Sequence, residues 1–244
     1  MNYMKTIRFC AISDLHGVVL PKIKECDVLL IAGDTVDLYV QRLMPDSNSW
    51  FQDTFVPWAM TLPCKKIYVI AGNHDFWMYK LPEEVRAVFA KTNGKVEYLE
   101  DEYAKYEGIT IFGTPQCHQF FNWAFMPSDE HMTEIFDKAT EGHNNEDIDI
   151  LIAHDSPYGC SDVLFQRHNG EHIGSHPLRR LVIKLKPMIM VHGHLHSTNH
   201  EEERLGKTRV YNVSLLDEDY EPIYMPLYFN FNIDEDGNKE LEMC

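Results

Sequence analysis

Residues that can bind metal ions recur at five places along the chain. The candidate ligands all offer a carboxylate oxygen, an amide oxygen or an imidazole nitrogen: Asp14, His16, Asp34, Asn73, His154, His194 and His196. Such a mixture, without thiolate, suits Mn²⁺, Fe or Zn²⁺ better than Ca²⁺, which prefers oxygen throughout. Seven ligands exceed what one tetrahedral ion needs, but they suffice for two ions that share a bridging carboxylate.

The charge that two such ions carry indicates phosphate chemistry. Two divalent ions bring +4, Asp14 and Asp34 bring −2, and a bridging hydroxide leaves about +1. Two ions about 3.5–4 Å apart can lower the pKa of a bridging water and clamp an anionic phosphoryl group. The sequence therefore predicts a positive pocket in a chain whose net charge is −16.

Each group of candidate ligands follows a short apolar run. The runs cover residues 7–12, 28–32, 67–71, 148–153 and 188–191. Aliphatic and β-branched runs with little alternation are typical of strands that are buried on both faces. Ligand sites collect at the carboxyl ends of strands in an α/β sheet, so we expect these five strands to share one site.

Other segments supply the elements around these strands. Helical spacing of apolar residues appears over 45–61, 81–92, 129–140 (with Ser128 as N-cap) and 177–186. Further strand-like segments cover 96–99, 109–112, 209–213 and 225–233. Some of these lack helices between them, which suggests a second, partly antiparallel sheet packed on the first. We predict an α/β fold, with two packed mixed β-sheets flanked by helices, in a single domain over residues 1–244.

Composition and charge exclude several classes of protein. Hydrophobic residues make up 44% and charged residues 25%, which argues against global disorder. No run of 18 apolar residues and no signal-peptide pattern is present, so we expect no membrane partner. A net charge of −16 argues against binding of duplex nucleic acid, because a phosphate backbone requires a basic face. Six scattered Cys indicate free thiols and a cytoplasmic location.

The five ligand groups together resemble the calcineurin-like metallophosphoesterase superfamily. Its signature is Asp-x-His, Gly-Asp-x-x-Asp, Gly-Asn-His-Asp/Glu, a lone His, and Gly-His-x-His. All five blocks stand here in that order, at residues 14–16, 33–37, 72–75, 154 and 193–196. The resemblance implies the sandwich fold of that superfamily and a metal-dependent phosphoesterase activity.

The resemblance also implies a role for each ligand. The first metal ion would be held by Asp14, His16 and His196. The second would be held by Asn73, His154 and His194, with Asp34 as the bridge between the two ions. We expect two divalent ions, with Mn²⁺ as the first candidate and Fe, Zn²⁺ or Ni²⁺ as alternatives.

Two further residues of the signature would act on the substrate or behind it. His74 would face the scissile phosphate, as general acid to the leaving oxygen or as a donor in the transition state. Asp37 would orient His74, since a carboxylate partner fixes the tautomer of an imidazole. Asp75 is expected to tie its loop to backbone donors, and the remaining histidines, His168 among them, to be surface residues.

A narrower resemblance concerns the residues that would contact the substrate. Segments 113–115, 120–125, 154–159 and 211–214 are similar to the mammalian brain metallophosphoesterase-domain proteins and their bacterial relatives, a subgroup that includes cyclic-nucleotide phosphodiesterases. Some brain proteins lack the first His of Gly-His-x-His, whereas this chain keeps His194. In this subgroup Asn122 and Trp123 would hold a base or another planar group, and His118 is a further candidate for substrate contact.

The leading hypothesis is a dinuclear phosphoesterase for a small phosphodiester, with cyclic nucleotides as the first guess and hydroxide attack as the mechanism. The alternatives are a phosphomonoesterase or protein phosphatase, and a non-catalytic scaffold with this fold, of the sort seen in the retromer coat. Retention of all seven ligands and His74 argues against the scaffold. The oligomeric state stays open.

Overall fold

Two mixed β-sheets form the frame of the molecule, for which the computed structural model describes residues 5–19, 22–143, 148–164 and 170–244. Numbered along the chain, the strands of the first sheet are β1 Lys5–Ile12, β2 Cys26–Ala32, β3 Cys64–Ile70, β4 Val96–Tyr98, β11 Leu227–Ile233 and β12 Lys239–Met243. Those of the second are β5 Glu102–Tyr106, β6 Ile109–Thr114, β7 Ile150–Ala153, β8 Ile189–His192, β9 Glu203–Leu205 and β10 Thr208–Asn212. The strand orders are β12-β11-β1-β2-β3-β4 and β5-β6-β7-β8-β10-β9.

Parallel pairing occupies the centre of each sheet, and antiparallel pairing occurs towards the edges. In the first sheet β1 to β4 are parallel, and β11 and β12 extend the sheet with antiparallel pairs. In the second sheet β6, β7, β8 and β10 are parallel, while β5 and β9 pair antiparallel at the two edges. This pairing brings the carboxyl ends of the parallel strands in each sheet to one edge.

The space between the sheets is filled by alternate side chains of the buried strands. Ile7 and Phe9 of β1 belong to the same apolar cluster as Ile150 and Ile152 of β7. A hydrogen bond from the backbone N–H of Ser13 to the carbonyl of Val213, 2.8 Å long, joins the loops that follow β1 and β10. The prediction of an α/β fold with two packed mixed sheets flanked by helices is therefore confirmed.

Helices cover the outer face of each sheet. The first sheet carries α1 Met44–Trp50, α2 Val56–Thr61, α3 Phe76–Lys80 and α4 Pro82–Ala90. The second carries α5 Asp129–Ala139 and α6 His176–Leu185. A π-helical turn at Phe51–Phe55 makes α1 and α2 continuous, in agreement with the prediction over 45–61. Ser128 caps α5 as predicted, because its hydroxyl oxygen accepts a hydrogen bond from the N–H of His131.

The structure corrects the grouping of the strands into sheets. The ligand-bearing strands do not share one sheet: β1, β2 and β3 lie in the first sheet, and β7 and β8 lie in the second. The other segments are divided in the same way, because β4 and β11 pair with strands of the first sheet and β6 and β10 with strands of the second. Among the described residues, no helix combines the length and the apolar composition that a membrane span requires.

Candidate metal centre

The candidate ligands lie on the loops that directly follow five strands, at one end of the sandwich. Four of them have a left-handed backbone: Asp14, His16, Asp34 and His194, with φ of 54°, 43°, 50° and 68°. This conformation costs a non-glycine residue about 1–2 kcal/mol, so the surrounding structure must impose it. Hydrogen bonds between loops do so, from the N–H of Asp14 to Gly33 O and from that of His16 to Asp34 O.

Three glycines allow the loops to pack directly against the ligand side chains. A Cβ atom on Gly193 would overlap the carboxylate of Asp14, and one on Gly72 would overlap the carboxylate of Asp34. Gly33 similarly leaves space for the ring of His154. These glycines belong to the sequence signature because a larger residue would displace a ligand.

The three ligands expected for the first ion converge from two sheets. The Nε2 atoms of His16 and His196 are 3.2 Å apart, and His196 Nε2 is 3.3 Å from Asp14 Oδ1. Asp14 and His16 come from the loop after β1, whereas His196 comes from the loop after β8. All three are buried, so their polar atoms face one another rather than bulk water.

The ligands expected for the second ion also come from both sheets. Asn73 Oδ1 is 3.0 Å from His154 Nε2. The ring of His194 lies beside that of His154, with the centroids 5.2 Å apart. The thiol of Cys117 belongs to the same group of potential ligands. Burial raises the pKa of Cys117 well above its usual value, and the thiol donates to the carbonyl of Pro115.

Asp34 lies between the two groups, as a bridging residue must. Its Oδ2 atom is 3.3 Å from His154 Nε2 and 3.7 Å from His16 Nε2. Its Oδ1 atom accepts a hydrogen bond of 2.8 Å from the N–H of His74. Burial opposes ionisation, but the imidazoles of His154 and His74 outweigh burial and hold the pKa of Asp34 well below its usual range.

The hydrogen bonds behind the imidazoles fit a metal centre. His154 Nδ1 donates to the carbonyl of Ala32 over 2.8 Å, and His196 Nδ1 donates to that of Asp217 over 2.9 Å. These bonds place a proton on Nδ1, so that each Nε2 can offer a lone pair to an ion. The seven residues expected as ligands are brought together here, with imidazole nitrogen, carboxylate oxygen and amide oxygen atoms close to one another, and could therefore hold divalent ions.

The buried carboxylates make the cluster strongly attractive to cations. Burial lowers the pKa of His154, but Asp34 raises it more, to about 10. Asp14 likewise overcomes burial at His196 and raises its pKa to about 9. A divalent ion that binds through either Nε2 must displace the proton that the raised pKa favours there.

His74 has a different partner from the one expected. Its Nδ1 atom lies 2.5 Å from Gln41 Oε1, and the amide nitrogen of Gln41 donates to the carbonyl of Leu38. Because that bond orients the amide, Gln41 presents an acceptor, and His74 Nδ1 is the donor. Asp37, predicted in this position, instead accepts a hydrogen bond from the N–H of Tyr39 and so closes its own turn.

Other polar residues support the ligands from outside the cluster. The hydroxyl of Ser214 donates to Asp14 Oδ2 over 2.6 Å. Asp75 accepts hydrogen bonds from the N–H groups of Gly72, Thr35 and Val36, in line with its expected role in tying the loops. Ser214 lies in segment 211–214 of the narrower resemblance, which implied no role for it. Gln41 is a common polar type at no distinctive spacing, so the sequence carries no signal for it.

A cavity of about 510 Å³ opens onto the candidate ligands. Its walls include Asp34, His74, His194 and His196, together with Trp123. The indole of Trp123 lies over the ring of His74, with the centroids 4.3 Å apart. Three described residues were expected to contact the substrate. Of these, Trp123 is the one that lines this cavity.

Asn122 and His118, the other two, line neighbouring cavities. The backbone carbonyl of Asn122 accepts a hydrogen bond from Arg42, and Asn122 lines a neighbouring cavity together with Trp123. His118 Nδ1 is 2.8 Å from the buried carboxylate of Asp155, an ion pair that raises the pKa of His118. Contact of these two residues with a substrate stays a prediction, because the ring of His118 lies 5.8 Å from that of His194 and Asn122 lines the same neighbouring cavity as Trp123. His168 lies outside the described residues.

Comparisons with known proteins agree with this arrangement. A family profile described as "Calcineurin-like phosphoesterase" matches residues 7–198, which include all seven candidate ligands. The chain is similar to Metallophosphoesterase domain-containing protein 1 of Homo sapiens and of Mus musculus, at 28% identity over 243 residues, with 90% of this chain and 69% of each relative covered. The crystal structure of TT1561 of Thermus thermophilus has a similar fold, with a TM-score of 0.60 over 98% of this chain and 99% of that chain, at 14% identity.

Proposed function

Because this chain belongs to the calcineurin-like phosphoesterase family, we propose that it hydrolyses a small phosphodiester, with cyclic nucleotides as the first candidates. The position of Asp34 is the observation that carries the proposal. One oxygen of its carboxylate faces His154 of one ligand group and His16 of the other, at 3.3 Å and 3.7 Å. A single carboxylate oxygen between two sets of imidazoles suits two divalent ions that share a ligand.

Two divalent ions, when bound, supply Lewis acidity towards water and towards the phosphoryl group. The chain's own residues hold and shield that centre. Buried Asp14 and Asp34 balance part of its positive charge, and the burial of these carboxylates strengthens their attraction for cations. Mn²⁺ is the first candidate, with Fe, Zn²⁺ or Ni²⁺ as alternatives, because the donors combine imidazole nitrogen with carboxylate and amide oxygen.

His74 is the residue that would protonate the leaving oxygen. Its Nδ1–H is held by Gln41, so its Nε2 atom faces Asp34, 3.9 Å away, at the floor of the cavity. Burial lowers the pKa of His74, so the imidazolium form that carries a proton on Nε2 is a stronger acid towards a leaving alkoxide, although less of that form is present at neutral pH.

The test uses the full chain reconstituted with Mn²⁺ and counts bound metal while turnover is measured. We expect two equivalents of metal and faster turnover of bis-p-nitrophenyl phosphate than of p-nitrophenyl phosphate. Faster turnover of the monoester would support the phosphomonoesterase alternative. Absence of both metal and turnover would support a non-catalytic scaffold.

The role of His74 is tested in the same assay. His74→Ala should retain both metal equivalents while kcat falls by about 10²–10⁴, the usual range for loss of general acid–base help. The loss should be smaller for p-nitrophenyl esters than for alkyl esters, because a good leaving group needs little protonation. His131→Ala, on the exposed side of α5, is the matched control. An equal loss on both kinds of ester would contradict the acid role and favour phosphate positioning.

A further inference from the structure

Aromatic rings lie around the mouth of the cavity that opens onto the candidate ligands. The ring of Phe120 lies 5.3 Å from that of His194, between centroids. The ring of Tyr220 lies 5.0 Å from that of His16, with its edge turned towards it. We call the four Phe, Trp and Tyr residues that line this cavity the aromatic collar: Phe120, Phe121, Trp123 and Tyr220.

Of the residues in the collar, Phe121 is the one whose position is least explained by packing in the fold. Its side chain is 89% exposed, so it contributes little to the core. Its backbone is left-handed, with φ of 50°, which costs a phenylalanine about 1–2 kcal/mol. Strained residues of this kind are concentrated at functional sites. The strained turn sets the ring of Phe121 edge-on against Phe120, with 5.8 Å between the centroids, at the rim of the cavity.

Trp123 is already engaged by other residues of the chain. Its indole has the ring of His74 at 4.3 Å on one side. The guanidinium of Arg42 lies 4.6 Å from its centroid and is held by a hydrogen bond to the carbonyl of Asn122. Stacking of a ligand on this indole would have to displace one of these groups. Phe121, which is 89% exposed, offers its ring to a ligand without such a displacement.

We propose that the chain recognises phosphodiesters with a planar aromatic substituent, such as an aryl group or a nucleobase, and that Phe121 stacks on that substituent. This proposal rests on the proposed function, because the substituent belongs to the ester that the metal centre hydrolyses. The cavity volume of about 510 Å³ is within the range of sites for small molecules. Aromatic rings pair by offset stacking or by edge-to-face contact, and the collar offers rings in both orientations.

The experiment compares three esters that share one leaving group. The Mn²⁺-loaded full chain is assayed with the 2,2,2-trifluoroethyl esters of phenylphosphonate, cyclohexylphosphonate and methylphosphonate, which carry the same charge and whose shared leaving group is not aromatic. For Phe121→Ala we expect the KM ratio of the phenyl ester to the methyl ester to rise about tenfold, as loss of one stacked ring does. The cyclohexyl-to-methyl ratio should change much less, and Phe121→Tyr should restore the wild-type ratio.

A matched control comes from another exposed aromatic residue. Tyr39 is 92% exposed and is not among the residues that line the cavity, so Tyr39→Ala should leave the ratios unchanged. An equal rise for phenyl and cyclohexyl esters would overturn planar recognition, and unchanged ratios in Phe121→Ala would overturn the role of Phe121. Absence of turnover of all three esters by the wild-type chain would instead contradict the proposed function, and the aromatic preference with it.

Discussion

The ring of His74 is held by contacts on several sides, and this has consequences for its chemistry. Gln41 holds Nδ1, the indole of Trp123 covers one face, and the ring of His16 approaches edge-on at 4.9 Å. Arg42, the residue after Gln41, lies over the same indole. One short segment of the chain therefore orients the imidazole both directly and through Trp123.

Replacement of Gln41 tests whether its acceptor oxygen orients His74. Gln41→Met has similar length but no strong acceptor, so we expect kcat to fall about tenfold, since about 1.4 kcal/mol is within the range for one such hydrogen bond. Gln41→Glu keeps an acceptor and should restore most of the activity. Bound metal should stay constant in both, and Gln52→Met, in the π-helical turn, is the control. Equal losses in the Met and Glu variants would count against this role.

Replacement of Asp34 tests the bridge. Asp34→Asn removes the negative charge between the two ligand groups, so that two ions can no longer approach closely. We expect the loss of one metal equivalent and of most activity, measured by elemental analysis and by turnover. Asp53→Asn, an exposed position, is the control. A variant with two bound ions and normal turnover would show that Asp34 is not the bridge.

Residue types explain which parts of the site could be predicted. A single Asp, Asn or His after a buried strand is ordinary turn chemistry, but the recurrence of such residues at five strand ends is a strong signal. Gln41 carries no such signal, because a glutamine in a loop is ordinary. The correct partner of His74 depends instead on how the turn after Asp34 closes, since Asp37 is used by the N–H of Tyr39.

At the scale of the elements, a charged residue near the amino-terminal end of β2 joins three neighbouring strands in the centre of the first sheet. Asp27 is the second residue of β2 and accepts a hydrogen bond of 2.9 Å from the N–H of Arg8 on β1. It also pairs with Lys65 on β3, at 2.9 Å. Burial opposes its ionisation, but Lys65 and Arg8 lower the pKa of Asp27 below its usual range.

Asp27 should therefore stabilise the fold in a pH-dependent way. A lowered pKa in the folded state means stability that is present above the unfolded pKa of about 3.9 and is lost as the pH falls through the folded value. Asp27→Asn should reduce the free energy of unfolding by about 1 kcal/mol at pH 7. The difference from wild type should shrink below about pH 4 in urea titrations. A difference that stays constant down to pH 2 would contradict this explanation.

The elements show where prediction from sequence reached its limit. The buried strands were predictable, because a continuous apolar run is a local property of the chain. Their partners were not, since β11 reaches β1 from the far end of the chain. The edge strands β5, β9 and β12 are short and rich in charged residues. They therefore lack the apolar runs from which the buried strands were predicted.

On the scale of the whole molecule, both ligand groups depend on the two sheets being in place together. Removal of metal should therefore lower the stability of the entire fold. We expect a chelator to lower Tm by about 5–10 °C, the shift that corresponds to ions present well above their Kd in a chain of this size. Mn²⁺ should restore the Tm, and Asp34→Asn should show a smaller shift. An unchanged Tm after verified metal removal would contradict this coupling.

The origin of the ligands in two different sheets has a consequence in polymer terms. An ion held by His16 and His196 would join segments 180 residues apart in the chain. Such a cross-link closes a long loop and restricts the unfolded ensemble, as a disulfide does in secreted proteins. All six cysteines of this chain are free thiols. The ions would thus act as reversible cross-links between the two sheets, at the end of the sandwich where the candidate ligands lie.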